Sequence, residues 1–546
     1  MISLQGKPFF LSDGDIEWVE DTLENMTFEE KVGQLFCPVC ASTDEKDLAK
    51  LLERNVGGIV CRPGKAVKVQ AANRFLQEHV SVPLLIGANL ESGGTGCAEE
   101  GTAYGMPMQM GAAGDPEQGY RLGFVGCSEG AAVGVNWALA PSADIARSWM
   151  SPTAGAQTFG SDPKKVLTFA GEFLRGVKKT GLTAAIRLFP GDGCDWRDHR
   201  RTPAVNDLSV KEWNATYGMI YRGLIGSGAR SVLAGRIALP AWANKLAPGA
   251  SEREAFLPAS ISGTLLQGLL RTELGFNGLI TADASGTGFA CSMERRLAMP
   301  AAVAAGVDLL ICGPSFEEDY AYMLEGCTNG TISLERLDDC MRRILGLKAC
   351  IGLHRRQQEG SLVPGEEGLK AIHSQAFASW AKECARDSVT LVKDTQGMLP
   401  LLPSRCPRIL LAAEGGKESG LFERLKKALE AAGFQVGELP PKTSAGDIRE
   451  KYDAAVYAFE GDAAFCPVPG DACIQGPWFA GEIPTLGISF GNPFRLAGAP
   501  QIRTYVNAYA GTEFTVPAVV ERITGRADFT GISPADPFAG RADTRL

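Results

Sequence analysis

Residues 275–284 read GFNGLITADA, a short apolar run that follows a glycine-containing turn and ends at an acidic residue, Asp283. Similar runs recur through the first 350 residues, separated by longer amphipathic stretches. Alternating strands and helices predict a parallel sheet, and eight such units over roughly 300 residues predict a (β/α)8 barrel of the TIM type. The candidate strands are residues 32–39, 56–62, 83–89, 135–141, 183–189, 229–236, 277–283 and 306–312.

A barrel predicts that the chemistry lies on the loops that follow the strands. Three candidate strands end in polar or glycine-rich segments, which are 89–94 (NLESGG), 190–193 (PGDG) and 282–284 (ADA). The first strand is expected to be partly helical, because Thr27 and Glu30 have the spacing of a capping box. We therefore expect the site residues to lie in the loops that follow the strands of the barrel.

A second α/β block follows a charged, glycine-rich stretch. Its candidate strands are SVTLVK, RILLAAE, AAVYAFEG, TLGISFG and TYVNAY. Leu421, Leu425 and Leu429 form one stripe of an amphipathic helix, which Gly433 can end. We therefore predict a barrel domain over 1–354, a linker over 355–370 and a smaller α/β sandwich domain over 371–546.

Composition excludes several classes of protein. The net charge of −9 argues against nucleic acid or an anionic membrane as the main partner. The N-terminal residues do not resemble an export signal, and no apolar run reaches the length of a membrane span. The 15 scattered cysteines are then expected to be free thiols in the cytoplasm. No metal or organic cofactor is expected.

One pair of cysteines needs a separate interpretation. Cys37 and Cys40 form a C-x-x-C pattern, which in thiol–disulfide enzymes opens a helix that lowers the thiol pKa. Here Pro38 and Val39 favour extended structure, and no second Cys/His pair stands at zinc spacing. Thiol oxidoreductase therefore remains only an alternative.

Seven motifs stand in order along nearly the whole chain. They are EEKVGQLF (29–36), PLLIGANLESGG (83–94), LAPSADI (139–145), QTFGSDP (157–163), FPGDG (189–193), GFNGLITADA (275–284) and GRADFTGISPADPF (525–538). In sequence and in order, these motifs together resemble those of glycoside hydrolase family 3, in particular its β-N-acetylhexosaminidases of the two-domain type.

The resemblance implies a retaining glycosidase, which needs a carboxylate nucleophile and a proton donor. Asp283 stands at the family's nucleophile position, although an Asp there could also simply cap the following turn. The N-acetylglucosaminidases use an Asp-x-His pair after strand five. Here His199 follows Asp198 directly and Arg200 takes the usual place of the histidine. A guanidinium does not release its proton near neutral pH, so His199, oriented by Asp198, is the expected acid/base.

The expected sugar contacts are Arg187, Asn89 and Glu91, with Gln157 and Arg236 as weaker candidates. Several of them depart from the family's pattern. Arg187 and Leu188 replace Lys and His, Gln157 replaces Arg, Arg236 replaces His, and Asn89 stands where many members have Asp. Lost hydrogen-bonding partners at such positions change what a site selects.

The sequence thus predicts a cytoplasmic enzyme that removes a terminal β-linked sugar, with N-acetylglucosamine as the leading candidate and no nucleic-acid or membrane partner. A catalytically impaired relative that binds carbohydrate or assists assembly is the alternative. Because the acid/base is a histidine and not a carboxylate, phosphate could also replace water as the acceptor. The oligomeric state is not indicated.

Overall fold

The computed structural model describes residues 2–286, 289, 293–414, 420–439, 443–461 and 477–546. The chain divides into two units. The first contains the chain up to Thr102, together with Gly119–Ile145 and Val166–Ser374. The second contains Ala103–Gln118, Ala146–Lys165 and Gln375–Leu546.

Eight parallel strands close a barrel in the first unit, which confirms the predicted TIM-type fold. Each strand pairs with the next one along the chain, and the last pairs with the first, where Phe36 lies opposite Leu310. Most strand residues are buried, as expected for a sheet covered on both faces. The strands are β1 Phe36–Cys40, β2 Gly58–Cys61, β3 Leu85–Ala88, β4 Trp137–Ala138, β5 Thr183–Phe189, β6 Ser231–Ala234, β7 Leu279–Ala284 and β8 Leu309–Cys312.

Helices surround this barrel. The expected capping box is present, since the Thr27 hydroxyl accepts from the Glu30 N–H and the Glu30 carboxylate accepts from the Thr27 N–H. Helices that belong wholly or mainly to the first unit are Asp13–Asn25, Phe28–Gln34, Glu45–Leu52, Ala66–Glu78, Glu117–Ala132, Pro163–Lys179, Val210–Ala215, Tyr217–Gly226, Pro240–Leu246, Glu252–Ala255, the π-helix Thr264–Glu273, Arg295–Ala305, Phe316–Thr328, Leu334–Cys350 and Leu353–Gln358.

The second unit is built on a six-stranded sheet with the order β9-β14-β13-β12-β10-β11. All neighbouring pairs are parallel except β9 and β14, which are antiparallel. The strands are β9 Thr390–Asp394, β10 Arg408–Glu414, β11 Gln435–Glu438, β12 Ala454–Phe459, β13 Thr485–Ser489 and β14 Thr504–Asn507. The helices are Pro107–Ala113, Gln375–Ser388, Leu421–Ala431, Ala445–Lys451 and Thr515–Ile523.

The predicted stripe of Leu421, Leu425 and Leu429 is fully buried in the core of this second unit. Its helix ends at Ala431, and Gly433 follows with a positive φ of 102°, as a helix stop requires. Strand β11 (QVGE) was missed, because four residues with little apolar character give no strand pattern. Among the described residues, no helix has both the length and the apolarity that a membrane span requires.

The buried side chain of Asp308, which directly precedes β8, joins this strand to β7. The Asp308 carboxylate accepts hydrogen bonds at 2.8 Å from Arg271 Nη2, from Arg336 Nη2 and from the Ile280 backbone N–H. Burial alone would raise the pKa of Asp308, but the charges of Arg271, Arg336 and Arg343 and the hydrogen bond from Ile280 outweigh it, and the pKa lies below its usual value. Because Ile280 lies in β7, this cluster fixes the strand that carries Asp283.

We expect Asp308→Asn to lower the free energy of unfolding by about 3–5 kcal/mol, because it leaves two buried guanidinium groups without a counter-charge. The matched control is Asp338→Asn, which removes only the partly exposed pair with Lys31 and should cost at most about 1 kcal/mol. Urea unfolding followed by circular dichroism measures both.

The same cluster predicts a dependence on pH. Since the folded pKa of Asp308 is lowered, its contribution is complete above the pKa of the unfolded chain and is lost as pH falls through the folded value. The difference in urea midpoint between wild type and Asp308→Asn should therefore shrink in acid. Equal urea midpoints for wild type and Asp308→Asn at neutral pH would contradict this role for Asp308.

Candidate active site

Asp283 lies near the carboxyl end of β7, where a barrel places its chemistry. Its Oδ1 accepts hydrogen bonds from the backbone N–H and the hydroxyl of Ser285, at 2.9 and 2.6 Å. Its side chain is 39% exposed. The carboxylate of Asp283 thus caps the following turn, which was the alternative role expected from the sequence. It is also accessible to a ligand.

Arg236 follows β6 and lies beside this carboxylate, with Nη2 at 3.6 Å from Asp283 Oδ2. The guanidinium is buried, and within the described part of the chain its Nη1 has no hydrogen-bond partner. A buried donor left without a partner costs about 1–3 kcal/mol, so a ligand oxygen or a water molecule beside Asp283 is favoured. Arg236 was predicted only as a sugar contact, and its position next to Asp283 was not foreseen.

His199 is held by Asp192, which corrects the expectation that Asp198 orients it. His199 Nδ1 lies 2.7 Å from Asp192 Oδ2, and both side chains are buried. Asp198 binds Arg200 instead, accepting from its Nε at 2.8 Å and its Nη2 at 2.9 Å. Burial alone would raise the pKa of Asp198, but these contacts with Arg200 outweigh it and lower the pKa. Asp198 begins a turn, because its carbonyl accepts from the N–H of Arg201, and its carboxylate is occupied by Arg200 within that turn.

Asp144 lies behind Asp192 and was not predicted as a site residue. Its carboxylate accepts from the backbone N–H of Asp192 at 2.7 Å and of Leu188 at 3.2 Å, and from the Ser142 hydroxyl at 3.1 Å. Burial and the nearby charge of Asp192 raise the pKa of Asp144 to about 6. Asp144 thus fixes the backbone of the turn that presents Asp192 to His199.

The FPGDG turn requires glycine at residue 191. Gly191 has a φ of +118°, and a Cβ there would lie 2.1 Å from the Tyr217 ring. The Tyr217 hydroxyl donates to the Asp192 carbonyl at 2.6 Å. Glycine at residue 191 therefore lets the Tyr217 ring pack against the turn, while the Tyr217 hydroxyl holds Asp192, which contacts His199.

The loop that carries His199 is anchored on both sides. Asn206 Nδ2 donates to the Gly191 carbonyl at 3.0 Å, which closes the loop upon its own start. Two short parallel strands, Ala204–Val205 and Ile237–Ala238, join its end to the segment that follows β6. The Ala204 N–H also donates to the Arg236 carbonyl at 3.0 Å, so the His199 loop and the residue beside Asp283 are directly linked.

Three predicted sugar contacts form one cluster. Arg187 Nη2 pairs with Glu91 Oε2, and Asn89 Nδ2 donates to Glu91 Oε1 at 3.2 Å. Glu91 is 5% exposed, and it is held by residues from the ends of β3 and β5. The structure thus brings Asn89, Glu91 and Arg187 together, whereas Gln157 belongs to the second unit and its role stays a prediction.

Asp144 and Asp192 were missed although both lie in recognised motifs, LAPSADI and FPGDG. The signal was their place directly after strands β4 and β5, where a barrel collects its functional groups. A sequence pattern does not reveal which of several nearby aspartates contacts a given histidine. The adjacency of Asp198 and His199 in the chain predicted Asp198 as the partner, whereas the structure shows Asp192.

The thiol alternative loses its physical basis. Cys37 and Cys40 lie in β1, not at the start of a helix. Burial raises the pKa of both thiols, whereas a reactive thiolate needs a lowered value. Among the described residues, no group of three or more His, Cys, Asp or Glu side chains has a geometry that could hold a metal ion.

Comparisons with known proteins agree with this architecture. The family model described as the glycosyl hydrolase family 3 N-terminal domain matches residues 27–347. A β-N-acetylglucosaminidase/β-glucosidase of Cellulomonas fimi is 35% identical, with 100% of each chain covered. A β-hexosaminidase of Stenotrophomonas maltophilia (strain K279a) is 28% identical over 46% of this chain and 74% of its own.

Two solved structures extend the comparison. The β-glucoside phosphorylase BglX bound to 2FGlc has a TM-score of 0.92 and 36% identity, covering 98% of this chain and 99% of its own. A family 3 β-N-acetylglucosaminidase from Paenibacillus sp. str. FPU-7 has a TM-score of 0.80 over 93% of this chain and 99% of its own, and at 24% identity it shows the fold alone. The fold, the matched domain and the full-length relative together establish that this chain belongs to glycosyl hydrolase family 3 and is an enzyme of the glycoside hydrolase class.

Proposed function

We propose that this enzyme removes a terminal β-linked sugar, N-acetylglucosamine or glucose, by a retaining double displacement. Asp283 is the nucleophile, and His199, held by Asp192, is the acid/base. The observation that carries the proposal is the buried 2.7 Å Asp192–His199 contact on a loop joined through Arg236 to the surroundings of Asp283. This arrangement supplies the two groups that retaining cleavage needs.

In the first step, an Asp283 oxygen forms a bond to the anomeric carbon as the bond to the leaving oxygen breaks. Protonated His199 gives the Nε2 proton to that oxygen, while Nδ1–H donates to the Asp192 carboxylate. Asp192 fixes the tautomer and stabilises the charged ring, as a buried acceptor does in other His–Asp pairs. In the second step, an acceptor oxygen displaces Asp283, and His199 recovers its proton from the acceptor.

The sugar is proposed to lie against the cluster of Glu91, Asn89 and Arg187. Glu91 and Asn89 offer acceptors and a donor to hydroxyl groups, and Arg187 holds Glu91 in place. We propose both sugars because the Cellulomonas fimi relative carries both activities in its name. Gln157 and Arg236 are kept as further contacts. A carbohydrate is thus the proposed partner. The proposed location is the cytoplasm, and the free thiols among the described cysteines support it.

Phosphate is the second candidate acceptor, and we propose it in preference to water. An anionic acceptor would be repelled by a carboxylate base, whereas His199 is neutral once it has protonated the leaving group. Arg236 offers a buried Nη1–H beside Asp283, and no described residue accepts from it. The BglX structures, at 36–37% identity, are titled as a β-glucoside phosphorylase. Phosphate would give its proton to His199 Nε2 and leave as the sugar phosphate.

The basic test is release of nitrophenol from nitrophenyl β-glycosides of N-acetylglucosamine, glucose and xylose. We expect turnover of one or both of the first two sugars, and a loss of at least about 10³-fold in Asp283→Ala, because the variant lacks the carboxylate that is proposed to trap the anomeric carbon. An unchanged rate in this variant would refute the role of Asp283. Tight glycan binding by the folded wild type, without turnover of any glycoside, would favour the carbohydrate-binding alternative.

The Asp192 assignment predicts unequal effects at two neighbouring aspartates. Asp192→Asn should lower kcat by about 10²- to 10⁴-fold for poor leaving groups, because the amide no longer favours the tautomer and charge that His199 needs. Asp198→Asn should stay within about fivefold of wild type, since the pair with Arg200 is partly exposed. Steady-state kinetics on phenyl glycosides, whose leaving group is poor, and on dinitrophenyl glycosides measure both.

The leaving group supplies the internal control for this comparison. Dinitrophenolate departs with little need of a proton, so the defect of Asp192→Asn should shrink on that substrate. If Asp198→Asn showed the larger loss, or if the Asp192→Asn defect were equal on both substrates, His199 would not depend on Asp192 as described.

The acceptor proposal predicts that inorganic phosphate raises the steady-state rate wherever the second step limits it, and that the released sugar appears as its 1-phosphate. Removing the Arg236 guanidinium while keeping a long side chain, in Arg236→Met, should weaken the dependence on phosphate. Product analysis by ³¹P NMR distinguishes the acceptors. Free sugar as the sole product at saturating phosphate would show that water is the acceptor.

A further inference from the structure

Trp196 is a large aromatic side chain on the loop that carries His199, and it is 67% exposed. Exposure alone does not single out a residue, since isolated apolar side chains are common on protein surfaces. Trp196 is singled out by its position in the chain. It lies three residues before His199, so that the chain itself keeps the two Cα atoms within about 10 Å of each other.

The backbone on either side of Trp196 is fixed by Asp195. Asp195 Oδ1 accepts from the Arg197 backbone N–H at 3.0 Å, which makes a tight turn with Trp196 in the middle. Asp195 Oδ2 accepts from Arg197 Nε and from the Val205 N–H, both at 2.8 Å. One carboxylate therefore ties the turn to the far end of the same loop, and the indole is presented to solvent from a braced position.

The chemistry of the acid/base defines what lies next to this ring. A general acid must reach the leaving oxygen at about 2.6–3.2 Å, so the leaving group extends outward from His199 Nε2. The apolar faces of sugar rings and aryl groups pack on aromatic rings, which bury them while leaving hydroxyl groups in water. A braced, exposed indole within a short chain distance of the acid/base has the position and the chemistry for such a contact.

We propose that Trp196 is the platform for the ring of the leaving group, a sugar or an aryl group, in the subsite next to the scissile bond. The inference rests on the proposed function of His199 and adds a residue that selects the leaving group. Trp196 contacts the substrate and takes no part in proton transfer. The same surface would receive the acceptor sugar when the reaction runs backward from a sugar phosphate.

The test compares two donors with the same sugar: a β-linked disaccharide, whose leaving group is a ring, and the corresponding glycosyl fluoride, whose leaving group is an ion. Trp196→Ala should lower kcat/KM for the disaccharide by about three- to tenfold, mainly through KM, and leave the fluoride within about twofold. Trp196→Phe should recover most of the loss. The control is Phe10→Ala, which removes an equally exposed aromatic, 68%, near the N-terminal ends of β5 and β6, and should leave both donors unchanged.

The outcomes separate this proposal from the one on which it rests. If wild type cleaves neither donor, the proposed function fails. If wild type cleaves both and Trp196→Ala is unaffected on the disaccharide, the platform is refuted. An equal loss on both donors would also refute it, because that pattern indicates a distorted loop and not a lost contact with the leaving ring.

Discussion

The hydrogen bond between Asp192 and His199 is the interaction on which the candidate active site depends. It is short and buried, and it exists because several parts of the barrel meet at one turn. Asp144, after β4, holds the backbone of the turn after β5, and Tyr217, from a helix outside the barrel, holds its carbonyl. A histidine fixed in this way can offer one ring nitrogen to the substrate, because the other is occupied by a carboxylate that sets its tautomer.

The surroundings of Asp283, the proposed nucleophile, are organised by a different set of charges. Asp308 ties β7 to β8 from within the barrel wall, while Ser285 orients one oxygen of Asp283 and Arg236 lies beside the other. The Arg236 carbonyl also accepts a backbone hydrogen bond from the loop of His199, so a single residue joins the surroundings of Asp283 to those of His199. We propose that the positive charge of Arg236 favours an anionic acceptor beside Asp283, which a carboxylate base in place of His199 would repel.

Much of the fold could be predicted because strands buried on both faces leave a strong signal: all eight candidate runs contain the observed barrel strands or overlap them. Asp283 and His199 followed from their places in motifs after strands. The partner of His199 did not, because chain adjacency is a poor guide to contact where a turn intervenes, and Asp198 follows that turn towards Arg200. The assignment of residues 103–118 and 146–165 to the second unit was also hidden, since a local pattern does not show with which unit a loop between two barrel strands packs.

We propose that a sugar becomes covalently attached to Asp283 during turnover. The most direct measurement is mass spectrometry of the protein after incubation with a 2-deoxy-2-fluoro β-glycoside, whose fluorine slows breakdown of the intermediate, followed by mapping of the labelled peptide. We expect one added sugar on the peptide that contains Asp283, and we expect phosphate to release it. Label on another carboxylate, or an enzyme that turns over ordinary glycosides without ever becoming labelled, would contradict it.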